Sequence, residues 1–194
     1  MNILDLLTNK QKNELIIRHF SKGDALFKEG EECLKIGIVL SGEVKISTFS
    51  PSGKEIVFNT LKPNEIFGNN LIFSSSPFYK GYVLATKNSE LAFIDKEQLI
   101  RLLKTNDEFL CAYLNIQSDF GTSERLLIEL LSISSAKERL LFFLKQNNGR
   151  FKYDSISSLA ASLSLSREAL SRTISNLIKK KILIREDKIL IIRN

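Results

Sequence analysis

The hydrophobic period changes partway along the chain, and that change constrains the fold more than any other feature. From about residue 18 to 95, short apolar runs alternate with turn signals: Ser21-Lys22-Gly23-Asp24, Lys28-Glu29-Gly30-Glu31, Ser41-Gly42-Glu43, Ser50-Pro51-Ser52-Gly53, Lys62-Pro63-Asn64-Glu65 and Lys87-Asn88-Ser89. Between them, 35–40 (KIGIVL), 44–49 (VKISTF), 55–61 (EIVFNTL) and 90–95 (ELAFID) read as strands. Short strands at regular spacing build an all-β sandwich or barrel. Residues 3–17, with Ile3, Leu6, Leu7, Leu15 and Ile16, predict a leading helix.

After Asp95 the period becomes helical. Residues 95–104 (DKEQLIRLLK) read as a short helix capped by Asp95, with Leu99, Leu102 and Leu103 on one side. Asn106-Asp107 starts a long helix that runs to about Leu131. Within it Phe109, Tyr113, Ile116, Phe120, Ser123, Leu127 and Leu130 are spaced 4, 3, 4, 3, 4, 3, apolar at all but Ser123. Such spacing suits a helix packed on its own domain, but strict heptad register favours a helix-to-helix dimer seam. The last third predicts helices at Ala136–Gln146, 155–162 and 166–180, then two short strands around Glu186-Asp187. Helix–turn–helix followed by a β wing is a winged-helix outline.

Charge separates along the same line. Residues 1–134 carry 15 Lys and Arg against 17 Asp and Glu, a net of −2; residues 135–194 carry 13 against 5, a net of +8. A basic segment of that size points to a polyanion, nucleic acid or an anionic membrane surface. No apolar run is long enough to span a membrane, and the first residues lack the pattern of a secretory signal. Cys33 and Cys111 make neither a disulfide framework nor a metal-ligand spacing, so no metal site is expected and a reducing cytoplasm is the expected location.

The chemistry concentrates in residues 163–177 (LSLSREALSRTISNL). Ser166 is a good N-cap. Arg167 with Ser171, and Glu168 with Arg172, are i, i+4 pairs near the helix start, whereas Leu170, Ile174 and Leu177 lie opposite and can pack inward. A recognition helix needs that division, because its N-terminal residues reach base edges in the major groove. Arg can bind guanine O6 and N7 together, and Glu can accept from the cytosine amino group. An ordinary surface Glu–Arg pair would be worth only a few tenths of a kcal/mol.

These residues resemble a known family. Leu159-Ala160, Leu163, Leu165-Ser166-Arg167-Glu168 and Leu170-Ser171-Arg172 look like the helix–turn–helix of the Crp/Fnr transcription regulators. Ser21-Lys22-Gly23-Asp24, Phe27, Glu29-Gly30, Ile36 to Leu40, Ser41-Gly42-Glu43-Val44, Pro51-Ser52-Gly53-Lys54-Glu55 and Pro63-Asn64-Glu65-Ile66-Phe67-Gly68 resemble the family's jelly-roll sensor domain. The resemblance implies an α+β chain in three parts. Residues 1–105 would be an N-terminal double-stranded β-helix (jelly roll) sensor domain, 106–134 a long dimerisation helix, and 135–194 a C-terminal winged helix–turn–helix domain. It also implies a homodimer that binds a double-stranded DNA palindrome and contacts RNA polymerase, with Glu168 and Arg172 as base readers. Arg167 resembles the cyclic-AMP receptor branch and Ser171 the fumarate–nitrate branch. The family's turn glycine is Ser164 here, which predicts a left-handed residue that is not glycine.

The residues name neither an effector nor a cofactor. Cyclic-nucleotide binders of the family use a Gly-Glu pair and an Arg-Ser-Ala cluster. The matching stretches here are Gly68-Asn69-Asn70-Leu71 and Tyr79-Lys80-Gly81-Tyr82, so the ribose-binding Glu is Asn69 and the phosphate-binding Arg is Tyr79. A buried phosphate without its guanidinium loses a strong charge-assisted pair, although Lys80 could supply a point charge. Cyclic AMP is therefore not expected to be the effector. Two cysteines cannot supply the four thiolates of a usual iron–sulfur cluster. His19, the only histidine, reads as structural rather than as a haem ligand, and Cys33, in a polar turn, and Cys111 read as incidental thiols. A cupin enzyme would need two or three His on its strands, and no nucleophile–base set appears. The remaining alternative is a small-ligand module acting on a protein partner without DNA, which the +8 segment disfavours.

Overall fold

The computed structural model describes residues 2–53 and 55–193; Lys54, in the turn quoted above, lies outside them. The chain divides into two compact units, one up to Ser118 and one from Asp119.

The first unit is an antiparallel sandwich of two four-stranded sheets. One has the order β1 (Ile16–Phe20), β8 (Ser89–Asp95), β3 (Lys35–Ser41), β6 (Ile66–Phe67). The other runs β2 (Ala25–Phe27), β7 (Tyr82–Ala85), β4 (Val44–Phe49), β5 (Glu55–Leu61). Ile36, Ile38, Leu91 and Phe93 from the first sheet share one buried core with Val44, Leu61 and Val83 from the second. Strands β3 and β8 are central and buried on both faces, which is why their sequences read as nearly continuous apolar runs rather than alternating ones. Gly37 in β3 is required by packing: a Cβ there would lie 2.2 Å from the Phe67 ring. Helices α2 (Lys96–Thr105) and α3 (Asp107–Ser132) follow, the first packing on β8. Asp95 Oδ1 accepts from the Gln98 N–H at 2.7 Å and caps α2, and Asn106 Oδ1 accepts from the Phe109 N–H at 2.9 Å at the start of α3.

The predicted leading helix is not continuous. Ile3–Leu6 form a single 3₁₀ turn, Leu7 is extended, and Thr8 caps a new helix, α1 (Asn9–Asn13), through a capping box with Gln11. Ile16 and Ile17 belong to β1, where they pair with Phe93 and Ala92. The apolar residues at both ends mimicked one helical face, but Thr8 and Gln11 offered the backbone a fresh start.

The second unit contains the C-terminal part of α3, α4 (Ala136–Gln146), α5 (Ile156–Ser162), α6 (Arg167–Lys179) and a three-stranded sheet. Its order is β10 (Leu183–Glu186), β11 (Ile189–Ile192), β9 (Arg150–Lys152), all antiparallel. The wing hairpin stands where the sequence predicts it. Strand β9 was not foreseen; it pairs Phe151 with Leu190 directly after the turn made by Asn148 and Gly149, both at positive φ. Leu140, Leu144, Leu159, Leu163, Leu170, Ile174, Leu177, Leu183 and Leu190 form the core of this unit.

Candidate nucleic-acid interface and sensor turn

Helix α6 has one buried and one exposed face, as its sequence dictates. Leu170, Ile174 and Leu177 are buried, and Arg167, Glu168, Ser171 and Arg172 are all exposed. Ser166 caps the helix, its Oγ accepting from the Ala169 N–H at 3.1 Å. Among the described residues Glu168 and Arg172 form no ion pair, so the carboxylate and both guanidinium groups of this face are unspent. Lys179, Lys180 and Lys181 are exposed where α6 ends, and Arg185 of the wing lies over the Tyr153 ring at 5.8 Å.

The turn before α6 is held from outside. Ser164 has φ 49°, the left-handed conformation expected where the family has glycine. The Arg139 guanidinium, from α4, donates through Nη1 to the carbonyls of Leu163 (3.0 Å) and Ser164 (3.2 Å). Through Nε (3.0 Å) and Nη2 it also donates to the carbonyl of Ile133, just past the end of α3. Sequence reasoning missed this residue, because nothing local distinguishes it from other basic residues of the segment.

The seven seam positions have different surroundings. Phe109 and Tyr113 are buried in the first core, with Ile116 packed against it, and Leu130 is buried in the second. Phe109, Tyr113 and Leu130 are therefore packed within their own chain. Phe120, Ser123 and Leu127 are exposed, and Leu131 (46% exposed) extends the same stripe four residues past Leu127.

In the first unit the turn after β6 is bonded inward. Asn69 is buried; its Nδ2 donates to Gln117 Oε1, and its carbonyl accepts from Gln117 Nε2 (3.0 Å) and the Tyr113 hydroxyl (3.2 Å). Tyr79 is also buried, stacked on Phe27 with ring centroids 4.7 Å apart. Cys33 lies between β2 and β3, outside any strand, but its side chain is only 2% exposed, with its thiol within 3.5 Å of the Tyr79 hydroxyl and the Gly68 and Lys35 carbonyls. Burial pushes the Cys33 thiol above its ordinary value, and burial beside Cys33 pushes Tyr79 up as well. Tyr113 is pushed up to about 12, again by burial first and then by the neighbouring thiol. Lys80 is exposed, as is His19 in β1, 3.7 Å from Glu90. Among the described residues no group of three or more His, Cys, Asp or Glu is placed to hold a metal ion.

Residues 17–106 match the family described as the cyclic nucleotide-binding domain. The chain is 26% identical to the global nitrogen regulator of Nostoc sp. over 164 residues, 83% of this chain and 73% of that one. It is 27% identical to the transcriptional activator protein Anr of Pseudomonas protegens over 154 residues, 79% and 62% of the two chains. These similarities support a regulator of the Crp/Fnr type. Its fold is also that of the CooA structure from Carboxydothermus hydrogenoformans, with a TM-score of 0.73 at 19% identity over 100% of this chain and 92% of that one. Asn69 and Tyr79 are both buried and bonded within the protein. No helix among the described residues is long and apolar enough to cross a membrane.

Proposed function

We propose that the chain is a sequence-specific DNA-binding transcription regulator that works as a homodimer in the cytoplasm. Residues 1–105 serve as sensor, 106–134 as dimerisation helix and 135–194 as the DNA-binding part. The observation that carries this reading is the face of α6: Arg167, Glu168, Ser171 and Arg172 exposed and unpaired at a capped helix start, over a buried apolar face, within a segment of net charge +8. Arg172 reads a guanine and Glu168 the opposite cytosine of a TGA…TCA palindrome, that core being carried over from the family. Arg167 or Ser171 sets the base beyond it, and Ser166 fixes the helix start on the DNA. The palindrome follows from a two-fold dimer, whose half-sites lie about 34–36 Å apart.

Dimerisation uses the exposed part of the stripe, Phe120, Ser123, Leu127 and Leu131, where Leu127 also lines an apolar cleft with Leu126, Phe142 and Phe143. RNA polymerase is the expected protein partner. An effector other than cyclic AMP fits the sensor best, because Asn69 and Tyr79 are already bonded and stacked internally.

Selection from a random DNA pool tests the reading. Enriched sites should carry a two-fold TGA/TCA core, and a pool without one defeats the assignment of these base readers. A chain that binds a protein and no DNA in a gel shift would instead restore the protein-partner alternative.

A further inference from the structure

Arg139 occupies the fourth position of α4, counting from its N-cap Ser135, where the positive end of the helix dipole opposes a cation. Its guanidinium is instead satisfied by the ends of two other helices. Helix α3 stops at Ser132, so the Ile133 carbonyl that accepts Nε and Nη2 belongs to the unpaired C-terminal end of α3. Helix α5 stops at Ser162, so the Leu163 and Ser164 carbonyls that accept Nη1 belong to its C-terminal end. Both ends carry the negative pole of a helix dipole, and one planar fork spans them. Lysine has the charge but not the fork: its donors radiate from one nitrogen and cannot reach both sets of carbonyls in this geometry.

The connection matters because of what lies on either side. Phe120 and Leu127, the exposed seam residues, ride on the same stretch of α3 whose end Arg139 grips. Ser164, the strained residue it also grips, lies two residues before the Ser166 cap of the base-reading helix. We infer that Arg139 is a positioning residue that fixes the base-reading helix relative to the dimer seam and so sets the spacing between half-sites that the dimer accepts. This rests on the DNA-binding dimer proposed above. Adding one base pair between half-sites displaces one by about 3.4 Å along the axis and rotates it by about a tenth of a turn. A rigid pair of helices resists that shift, whereas a pair released at the α3 end accommodates it.

The test uses the full chain and DNAs carrying the selected palindrome, the same half-sites with one base pair added or removed, and a single half-site. Wild type should discriminate against altered spacing by about tenfold or more, because two half-sites must be engaged together. Arg139→Lys and Arg139→Gln should keep single half-site affinity within about threefold and lose most of that discrimination. Half-site affinity is the control for folding. If either variant loses half-site and full-site binding in equal proportion, or discriminates spacing as wild type does, Arg139 does not set spacing and the inference falls alone. If wild type itself shows no two-fold site, the DNA reading falls and takes this inference with it.

Discussion

The turn after β6 and the exposed face of α6 spend their polar side chains in opposite ways. Around Asn69 the polar groups are bonded inward: Asn69 to Gln117 and Tyr113, and the Tyr79 hydroxyl to Cys33. On α6, Arg167, Glu168, Ser171 and Arg172 stand in solvent without ion pairs among the described residues. Polar groups already satisfied inside the protein have little left to offer a ligand, while unsatisfied exposed ones can exchange water for a partner at little cost. The proposed function accordingly assigns DNA recognition to the second unit and expects an effector other than cyclic AMP in the first.

The largest effect should come from separating the two copies. Phe120 and Leu127 are exposed in the single chain, so changing both to Glu leaves each fold intact and breaks the seam. The double variant should sediment as a monomer and lose about 100-fold or more in operator affinity, as the second half-site no longer binds in tandem. A dimer that survives the double change would place the seam elsewhere.

Next in size is the loss of one base contact. Arg172→Ala should cost about 1–3 kcal/mol per half-site and relax preference at one base pair. Lys180→Gln serves as its contrast: if Lys180 contacts phosphate, affinity falls alike for all sequences and the salt slope drops by about one. Equal stringency of Arg172→Ala and wild type in a binding selection would remove Arg172 from the reading face.

A smaller effect distinguishes the cores. Cys33, Tyr79 and Tyr113 all lie in the first unit, and burial holds each of their protons above the ordinary value. The unfolded chain releases those protons first, so their contribution is complete at neutral pH and declines as pH rises past about 9. Melting followed from pH 7 to 11 should show the first unit weakening progressively above that point; a flat profile would mean that these groups are not buried in solution. Under native conditions a thiol reagent should modify exposed Cys111 and spare Cys33.

The smallest expected effect is none. Cyclic AMP at millimolar concentration should change neither melting temperature nor DNA affinity, since any tight binder of the native state raises stability in proportion to ln(1 + [L]/Kd). A shift of several degrees would show that Tyr79 and Asn69 yield their internal partners to a nucleotide.

Much of this arrangement was legible in the residues. The buried and exposed faces of α6 follow from its 3.6-residue period, and the caps at Asp95, Asn106 and Ser166 mark helix starts by local hydrogen bonding alone. The wing strands were likewise written locally, whereas the left-handed turn at Ser164 was expected only from the resemblance to the family's glycine. Where two local signals competed, periodicity misled: Ile3 to Ile16 read as one helix, but the Thr8–Gln11 box and the pairing of Ile16 with Phe93 divided it.

The sequence by itself determined the strand and helix periods, the charge separation and the division of α6 into an apolar and a polar face, because each depends on composition or on neighbours a few residues away. Only the tertiary structure decided which seam positions are already buried, that Cys33 and Tyr79 face each other inside the sandwich, and that Asn69 bonds to Gln117, 48 residues further along. It alone brought Arg139 against Leu163 and Ser164, 24 and 25 residues away. Such contacts join segments whose separation carries no period, so they form only when packing of the cores brings distant carbonyls within reach of one side chain.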